Sequence, residues 1–354
     1  MNLIEETMCA IKPLDSEAAK HAGMRLDSLT KPLGSLGNLE EIVQRYAAVR
    51  RDPQASFRRG ALTVFVADHG VADAGVSAYP KAVTVEMLRN IALGGAAISV
   101  LARHFGFDLL VTDVGVEADT SAEVLPAVRY RRIGPGTRNF LKGSAMSPEQ
   151  ARKAIDAGIE AANHAVSRGA TLIGIGEMGI ANSTAAAAVL AAITGIEPAR
   201  LAGRGTGIDD AAMRRKVGVI EDALKLHQHS LRDGLGTLAS VGGFEIGAMA
   251  GVCLAGAAAS VPVVVDGFIA TAAAALADRI HPGLRDYLFF GHCSAEGGHA
   301  LVLETLRVRP ILQLNMRLGE GTGAALAMSL IQSALALFHQ MATFSGAGVS
   351  GPIK

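Results

Sequence analysis

The residues best suited to chemistry lie in a short acidic loop near the end of the chain, residues 318–323 (LGEGTG). The loop follows an apolar run, 311–314, and precedes an Ala/Leu-rich stretch that predicts a helix. The glycines on either side of Glu320 permit backbone conformations that a side chain forbids, and they leave space for a ligand. A carboxylate held there can act as a base, although a Glu near a helix start is more often a residue that caps the helix or complements its dipole.

A second glycine-rich segment, residues 174–179 (GIGEMG), follows an apolar run and matches the GxGxxG pattern of dinucleotide-binding proteins. Glu177 counts against that interpretation, because it places a carboxylate where a pyrophosphate should approach. The next helix is predicted to be capped by residues 182–184 (NST) rather than to begin at the third glycine. The acid expected about 20 residues later, Glu197, lies in a turn. Hydroxyls and N–H groups at a helix start suit a single phosphate better.

A third glycine-rich segment, residues 203–207 (GRGTG), precedes a predicted helix that contains Lys216. Two glycine loops at helix starts, together with Arg204 and Lys216, can enclose a phosphomonoester with backbone donors and cations. Frequency alone favours a different interpretation of Lys216, as a solvated surface lysine.

Metal-binding and nucleophile patterns are weak in this sequence. His69, His292 and His299 lack the paired spacing of zinc sites, so hydrogen-bonding or core histidines are expected. There is no Gly-x-Ser-x-Gly elbow, and Cys293 has no local signature of a nucleophile. The sequence therefore predicts no metal site.

Six nearly continuous apolar runs separated by helical stretches must position these loops. Such runs are typical of strands covered on both faces, and they predict a doubly wound, mainly parallel, Rossmann-like α/β sheet of about six strands. Each run is followed by glycine and a polar residue, and the carboxyl ends of parallel strands share one crevice. The predicted strands are 61–67, 108–114, 171–175, 261–265, 287–290 and 311–314.

The two ends of the chain have a different pattern. Residues 1–55 show helical patterning, interrupted by the turn-rich segment 29–37 (LTKPLGSLG), and the last stretch is a long apolar helix. We expect residues 1–55 and 324–354 to form a small helical subdomain beside an α/β domain of residues 56–323.

Composition excludes several classes of protein. Among 354 residues, Lys plus Arg and Asp plus Glu number 33 each, so there is no basic surface for nucleic acid. Three dispersed cysteines do not form a disulfide framework, and the N-terminal residues lack a signal-peptide pattern, which favours the cytoplasm. Residues 246–265 carry no charge, but their glycines, alanines and Pro262 predict a buried helix and strand rather than a membrane span.

Together these motifs resemble those of the nicotinate-nucleotide:dimethylbenzimidazole phosphoribosyltransferase family. Each stretch alone is unspecific, but eight in order along nearly the whole chain are highly specific. They are 29–37 (LTKPLGSLG), 67–80 (ADHGVADAGVSAYP), 174–184 (GIGEMGIANST), 203–210 (GRGTGIDD), 241–246 (VGGFEI), 265–269 (VDGFI), 291–296 (GHCSAE) and 318–325 (LGEGTGAA).

The resemblance implies transfer of 5-phosphoribose from nicotinate mononucleotide to 5,6-dimethylbenzimidazole, with Glu320 as the general base and no cofactor. It also implies a homodimer, in which segment 29–37 would help to close the partner's site. The implied phosphoribosyl and nucleotide residues are Glu177, Gly179, Gly203, Gly205, Thr206, Gly207, Lys216, Asp266 and Ser294. The implied base-pocket residues are Ser77, Tyr79 and Leu318.

Two other functions remain open at this point. A nicotinamide-dependent oxidoreductase would use residues 174–179 as its dinucleotide loop, would bind NAD(H) and would not need Glu320. A non-catalytic regulator would bind nicotinate mononucleotide without turnover. The sequence does not decide which base a transferase would prefer.

Overall fold

The computed structural model describes residues 1–120, 122–123, 125, 128–205 and 207–350. Within these residues seven strands form one sheet, in the order β3-β2-β1-β4-β5-β6-β7. The strands are β1 Gly60–Ala67, β2 Asp108–Gly115, β3 Val128–Tyr130, β4 Leu172–Met178, β5 Val263–Val265, β6 Leu288–His292 and β7 Pro310–Leu312. All neighbouring strands are parallel, which confirms the predicted doubly wound, Rossmann-like α/β class.

The helices lie between and around these strands. In chain order they are α1 Leu3–Ala10, α2 Ser16–Ser28, α3 Asn38–Arg50, α4 Ala82–Ala92, α5 Ala97–Phe105, α6 Pro148–Ser167, α7 Asn182–Thr194, α8 Pro198–Leu201, α9 Asp210–His227, α10 Gly234–Val241, α11 Phe244–Ala258, α12 Phe268–Ile280, α13 His299–Thr305, α14 Thr322–Gln340 and α15 Phe344–Ala347. Short 3₁₀ turns cover Gly70–Ala74 and Leu284–Tyr287.

The sheet separates two hydrophobic cores, because successive side chains of a strand point to opposite faces. In β1 every residue is buried, and alternate residues belong to different cores. Phe65 packs on the face covered by α6, α7, α11 and α12. Val64 and Val66 pack on the face covered by α2–α5 and α14. This two-sided burial explains why the strand sequence is continuously apolar rather than alternating.

The sequence located six of these strands and missed β3. That strand has only three residues, and its VRY sequence leads into two arginines, so it lacks an apolar run. Some boundaries also differ from the prediction, since β5 begins at Val263 rather than at residue 261. The uncharged segment 246–265 forms most of α11 together with β5, both buried, as predicted.

The N-terminal and C-terminal segments contact each other. Leu29 bridges to Thr343, and segment 29–37 is tied down by a buried ion pair between Lys31 and Glu40, with Nζ and Oε1 2.8 Å apart. Helix α14 packs against both α3 and the central strands. The division into a helical subdomain and an α/β domain stays a prediction.

Two stretches of the described chain are long and apolar enough to cross a membrane, by length and composition alone. Residues 82–105 contain α4 and α5, which are separated by a break at residues 93–96. The other stretch is α14, and 56% of its most apolar window is buried within the fold. Core helices pass the same test, so this is weak evidence for a span.

Helices α6 and α11 pack backbone against backbone at two glycines. A Cβ atom at Gly158 would lie 1.7 Å from the Ala248 carbonyl oxygen, and one at Gly251 would lie 2.0 Å from the Ile155 carbonyl oxygen. Each clash is with backbone, which cannot rotate away as a side chain can. The absence of side chains at these two positions therefore sets the distance between the helices.

We expect Gly158→Ala to lower the free energy of unfolding by about 3 kcal/mol, because the added methyl group must push two helix backbones apart. Urea denaturation measures the change. Gly218→Ala in α9 is the matched control, since a Cβ there meets nothing within 4 Å. That control should gain up to about 1 kcal/mol from helix propensity. Equal stabilities for the two variants would contradict the expectation.

Candidate active site

Most residues predicted for the site line one cavity of about 510 Å³ at the carboxyl ends of β4, β5 and β6. This is the sheet edge at which open α/β folds bind ligands. The predicted residues among its walls are Ser77, Tyr79, Glu177, Gly179, Gly205, Asp266, Ser294, Leu318 and Glu320. Gly203, Gly207 and Lys216 are not in its lining, and Thr206 lies outside the described residues.

The loop that carries Glu320 has three consecutive residues in the left-handed region, with φ of 84° at Gly319, 63° at Glu320 and 91° at Gly321. Such a φ is uncommon for a residue with a side chain, and it persists only where surrounding contacts enforce it. The loop also passes very close to β4. A Cβ at Gly176 would lie 2.5 Å from the Glu320 carbonyl oxygen, so a glycine is required there.

The Glu320 carboxylate does cap a helix, but the helix is α5 rather than the one that follows it in sequence. Its Oε2 accepts a hydrogen bond of 3.1 Å from the Ile98 N–H. Only 5% of the residue is exposed, and burial raises the pKa of the carboxyl, while the N–H groups of Ala97 and Ile98 act in the opposite direction. A buried carboxylate with a raised pKa is a stronger base than an exposed one.

Asp266 connects β5 to the start of α14. Its Oδ1 accepts from the Ala324 N–H at 2.9 Å and its Oδ2 from the Gly321 N–H at 3.2 Å. Burial raises its pKa to about 7, against the effect of these N–H groups. His292 Nε2 lies 3.8 Å from Oδ1. Asp266 therefore caps α14, the role that the sequence suggested for a glutamate in the adjacent loop.

Glu177, at the end of β4, is the third buried acid of the cavity. Burial raises its pKa to about 8, and Glu245, Asp266 and Glu320 add to the rise. The Asn182 amide donates a hydrogen bond to its Oε2. The predicted capping role of residues 182–184 is therefore wrong for Asn182, because α7 begins at this residue and its side chain turns to Glu177.

Lys216 lies behind the 203–205 loop. It is 1% exposed, and its Nζ donates to Ser183 Oγ at 2.9 Å and to the Gly203 carbonyl at 3.0 Å. Burial lowers its pKa to about 8, against the effect of Glu296. The interpretation of Lys216 as a solvated surface residue is wrong. Arg204, in contrast, is exposed and donates to the Ile208 carbonyl of its own loop and to Asp210 at the start of α9.

Glu296 and Arg317 also line the cavity, although neither was among the residues predicted for the site. Both oxygens of Glu296 accept from the Gly205 N–H, at 2.9 and 3.1 Å. Arg317 Nη1 donates to the Gly205 carbonyl at 3.0 Å. The only available signal was proximity, since Glu296 ends the GHCSAE stretch and Arg317 directly precedes the Glu320 loop.

The mouth of the cavity is apolar and open. Tyr79 is 55% exposed and Leu318 is 59% exposed, so their side chains are accessible to a ligand. Val83 and Met87 line the same cavity, and Ser77 Oγ accepts from the Tyr79 N–H at 3.2 Å. The cavity thus combines an acidic, polar floor with an apolar entrance.

The GIGEMG segment does not form a dinucleotide loop. Gly174 and Gly176 lie inside β4 rather than in a turn between strand and helix. A Cβ at Gly174 would lie 2.7 Å from side-chain atoms of Leu62 and Met328, so this glycine serves packing. Only Gly179 comes after the strand. The structure therefore contradicts the dinucleotide interpretation of residues 174–179.

Of the three histidines considered in the sequence, His69 and His299 make side-chain hydrogen bonds and His292 is buried in the core. His69 Nε2 lies 2.9 Å from Glu245 Oε1, and His299 bridges Thr271 Oγ1 at 2.9 Å and the Ser294 N–H at 2.8 Å. Burial lowers the pKa of His299 to about 3. Among the described residues, no group of three or more His, Cys, Asp and Glu side chains is placed to hold a metal ion.

A separate cavity of about 440 Å³ lies beside Asp68 and His69 at the end of β1. Charged side chains from several loops line it, including Lys81, Glu117 and Arg138. It contains none of the residues predicted for the site. The predicted residues are therefore concentrated in the cavity of about 510 Å³.

We expect Glu177→Gln to reduce the loss of stability between pH 5 and pH 8. Over this window the folded wild type retains a proton on Glu177, whose pKa is about 8, whereas an unfolded Glu with a pKa of about 4.3 has released it. Folding stability therefore falls as pH rises through the window, and Gln removes this contribution, on the order of 3 to 4 kcal/mol. Urea midpoints at the two pH values measure it.

The matched control for this comparison is Glu221→Gln, on the exposed side of α9. It should keep the wild-type difference between pH 5 and pH 8. An identical pH difference in Glu177→Gln and wild type would show that Glu177 does not hold its proton in the folded chain.

Comparisons with known proteins identify the family of this chain. The profile of a family described as Phosphoribosyltransferase matches residues 11–349. The nicotinate-nucleotide–dimethylbenzimidazole phosphoribosyltransferase of Chloroflexus aggregans is 52% identical over 350 residues, 99% of each chain. The Roseiflexus protein of that name is 49% identical over the whole of both chains. The crystal structure of CobT from Thermus thermophilus is 47% identical, with a TM-score of 0.90 over 94% of this chain and 99% of that one. The chain belongs to the nicotinate-nucleotide–dimethylbenzimidazole phosphoribosyltransferase family.

Proposed function

We propose that this protein transfers 5-phosphoribose from nicotinate mononucleotide to 5,6-dimethylbenzimidazole, giving α-ribazole 5′-phosphate and nicotinate. The observation that carries the proposal is the Glu320 carboxylate, which lines the cavity while main-chain N–H groups hold it. The relatives from Chloroflexus and Roseiflexus are named for these two substrates. The oxidoreductase alternative has no support, since the family is a transferase family and residues 174–178 belong to β4.

The two substrates fit different parts of the cavity. The phosphate belongs at the glycine loop 203–207, where Gly205 lines the cavity and Lys216 supplies a buried cation behind it. The aromatic base belongs at the mouth, where Tyr79 and Leu318 offer accessible apolar surface. This arrangement puts the reacting sugar between the two ends, over the acids of the floor. A volume of about 510 Å³ is in the usual range for ligand sites.

The chemistry follows from this placement. A benzimidazole nitrogen attacks C1′ of the ribose, and the bond from C1′ to the pyridinium nitrogen breaks, with its electron pair returning to nicotinate. The sugar passes through an oxocarbenium-like state, and attack from the opposite face inverts the β-linkage to α. The attacking ring becomes a benzimidazolium, whose second nitrogen carries an acidic proton. Glu320 accepts that proton.

Glu177 and Asp266 act on the sugar and the leaving group. At neutral pH Glu177 is mostly protonated, because its pKa is about 8, so it can donate a hydrogen bond to a ribose hydroxyl or to the departing nicotinate. Asp266 and Ser294 form the floor beneath the nucleotide. The leaving group is already activated as a pyridinium, so the proposed reaction uses no metal or organic cofactor.

We also infer a homodimer in the cytoplasm. Leu33, in segment 29–37, is 74% exposed, and Tyr79 and Leu318 are exposed at the cavity mouth. A second subunit would cover such apolar surface. All three cysteines are free, which suits a reducing compartment. Light scattering should give twice the 36.5 kDa chain mass, and a mass of one chain at assay concentration would refute the dimer.

The experiment that tests the function is incubation of the purified protein with nicotinate mononucleotide and 5,6-dimethylbenzimidazole. Chromatography should detect nicotinate release that depends on the base, with an α-riboside phosphate formed in equal amount. Release without the base would indicate hydrolysis. Nucleotide binding without any release would favour the non-catalytic regulator.

We expect Glu320→Gln to lower turnover by about 10²–10⁴-fold, because a positioned general base contributes a factor of this size. Gln preserves the size of the side chain and leaves the distant phosphate contacts in place. Affinity for nicotinate mononucleotide, measured by calorimetry, should therefore stay close to wild type. The control is Glu304→Gln, an exposed acid on α13 that should retain full turnover. Undiminished turnover in Glu320→Gln would remove Glu320 from the mechanism.

A further inference from the structure

Glu296 has an unexpected position for an acid in a nucleotide site. It is 7% exposed and lines the cavity of about 510 Å³. Both of its carboxylate oxygens accept from one donor, the Gly205 N–H, at 2.9 and 3.1 Å. Its own N–H donates to Ser294 Oγ at 3.1 Å, which holds the start of the side chain in place. The carboxylate therefore takes the main-chain donor that the glycine loop presents to the cavity.

The surroundings of this carboxylate are those of an anion site. Lys216 Nζ lies 4.0 Å from Glu296 Oε1 and provides a buried positive charge. Gly203 leaves room for the carboxylate, because a Cβ there would lie 2.4 Å from the same oxygen. A buried cation, a glycine N–H and a gap left by a second glycine are the features that bind a phosphate in other proteins. Here they contact a side-chain carboxylate.

We propose that Glu296 is an internal competitor for the phosphate group of the nucleotide. The inference rests on the proposed placement of the phosphate at loop 203–207. A phosphate and a carboxylate cannot both accept from the Gly205 N–H, and their like charges repel at this distance. The carboxylate must therefore leave Gly205 when a phosphate binds there, and it returns when the phosphate leaves.

The competition has a definite effect on the reaction. Substrate and product both carry the same 5′-phosphate, so the competitor weakens the binding of both. Binding energy shared by substrate and product does not speed the chemical step, and too much of it slows product release. Glu296 would thus raise KM for the nucleotide while it keeps the product from being held too tightly.

Glu296→Gln separates the charge of this residue from its hydrogen bond. The amide carbonyl can still accept from the Gly205 N–H, so the loop keeps its support, but the negative charge is gone. We expect the affinity for inorganic phosphate, measured by calorimetry, to rise about tenfold. A nearby negative charge that repels the phosphate is removed, and at an intermediate effective dielectric constant its repulsion has about this size. KM for nicotinate mononucleotide should fall by a similar factor, while kcat stays level or falls.

Two controls distinguish competition from a general change in the site. Glu304→Gln removes one exposed negative charge without touching the cavity, and it should leave phosphate affinity at the wild-type value. Nicotinate riboside has no phosphate, so its inhibition constant should be the same for wild type and Glu296→Gln. A riboside shift equal to the nucleotide shift would refute competition for the phosphate.

The opposite result would identify Glu296 as a support for the loop. In that case Glu296→Gln would leave phosphate affinity unchanged or lower it, and either result overturns the proposal. Glu296→Ala provides a second variant, because it removes both charge and acceptor. Competition predicts phosphate affinity at or above wild type for this variant, whereas a supporting role predicts a loss. Thermal unfolding confirms that each variant is folded before it is compared.

The test is separable from that of the proposed function. Phosphate affinity is measured without a base and without turnover. A wild-type protein that releases no nicotinate, combined with a gain of phosphate affinity in Glu296→Gln, would refute the transferase proposal and retain the competitor. Base-dependent turnover in the wild type, with no gain of phosphate affinity in Glu296→Gln, would support the transferase proposal and refute the competitor.

Discussion

Two main-chain hydrogen bonds to the carboxylate of Asp266 hold the centre of this molecule together. Asp266 follows strand β5, which lies next to the central strand β4, and the N–H groups that it binds belong to Gly321 and Ala324, at the start of α14. These bonds fix the beginning of a helix that packs on the sheet, and they fix the loop that contains Glu320. The first N–H groups of a helix lack acceptors within the helix. The carboxylate of Asp266 accepts from them and also lines the cavity. Stability and site geometry thus depend on the same contact.

The site brings several acidic groups together, and the unfavourable free energy of burying their negative charges must be offset. Glu177, Asp266 and Glu320 all line one cavity, and burial raises the pKa of each. The compensation is of two kinds. Glu177 is mostly neutral at pH 7 because its pKa is about 8, whereas Asp266 and Glu320 accept main-chain N–H bonds that favour their charged forms. Three acids of similar chemistry can therefore hold different protonation states, which suits a reaction that starts from a cationic pyridinium and ends with a released proton.

The sequence predicted the sheet well because two-sided burial leaves a local pattern, a continuous apolar run followed by glycine and a polar residue. β3 was not predicted because it has only three residues, with arginines beside it, and so lacks a continuous apolar run. The convergence of the site was predictable for the same reason, since the ends of parallel strands meet. Side-chain direction was not predictable. Arg204 and Arg317 both lie in or beside glycine-rich loops. Arg204 donates to the Ile208 carbonyl of its own loop, whereas Arg317 donates to the carbonyl of Gly205 in the other loop. Packing across the fold determines these different directions.

The Glu320 loop passes close to β4, so the position of Glu320 depends on parts of the chain that are distant in the sequence. The Glu320 loop is held by Gly176 on β4, Ile98 on α5 and Asp266 after β5, which are far apart in the sequence. No contiguous fragment of half the chain contains all of these contacts. Because Glu320 follows all three of these residues in the sequence, its carboxylate reaches this position only when nearly the whole chain has been made and folded.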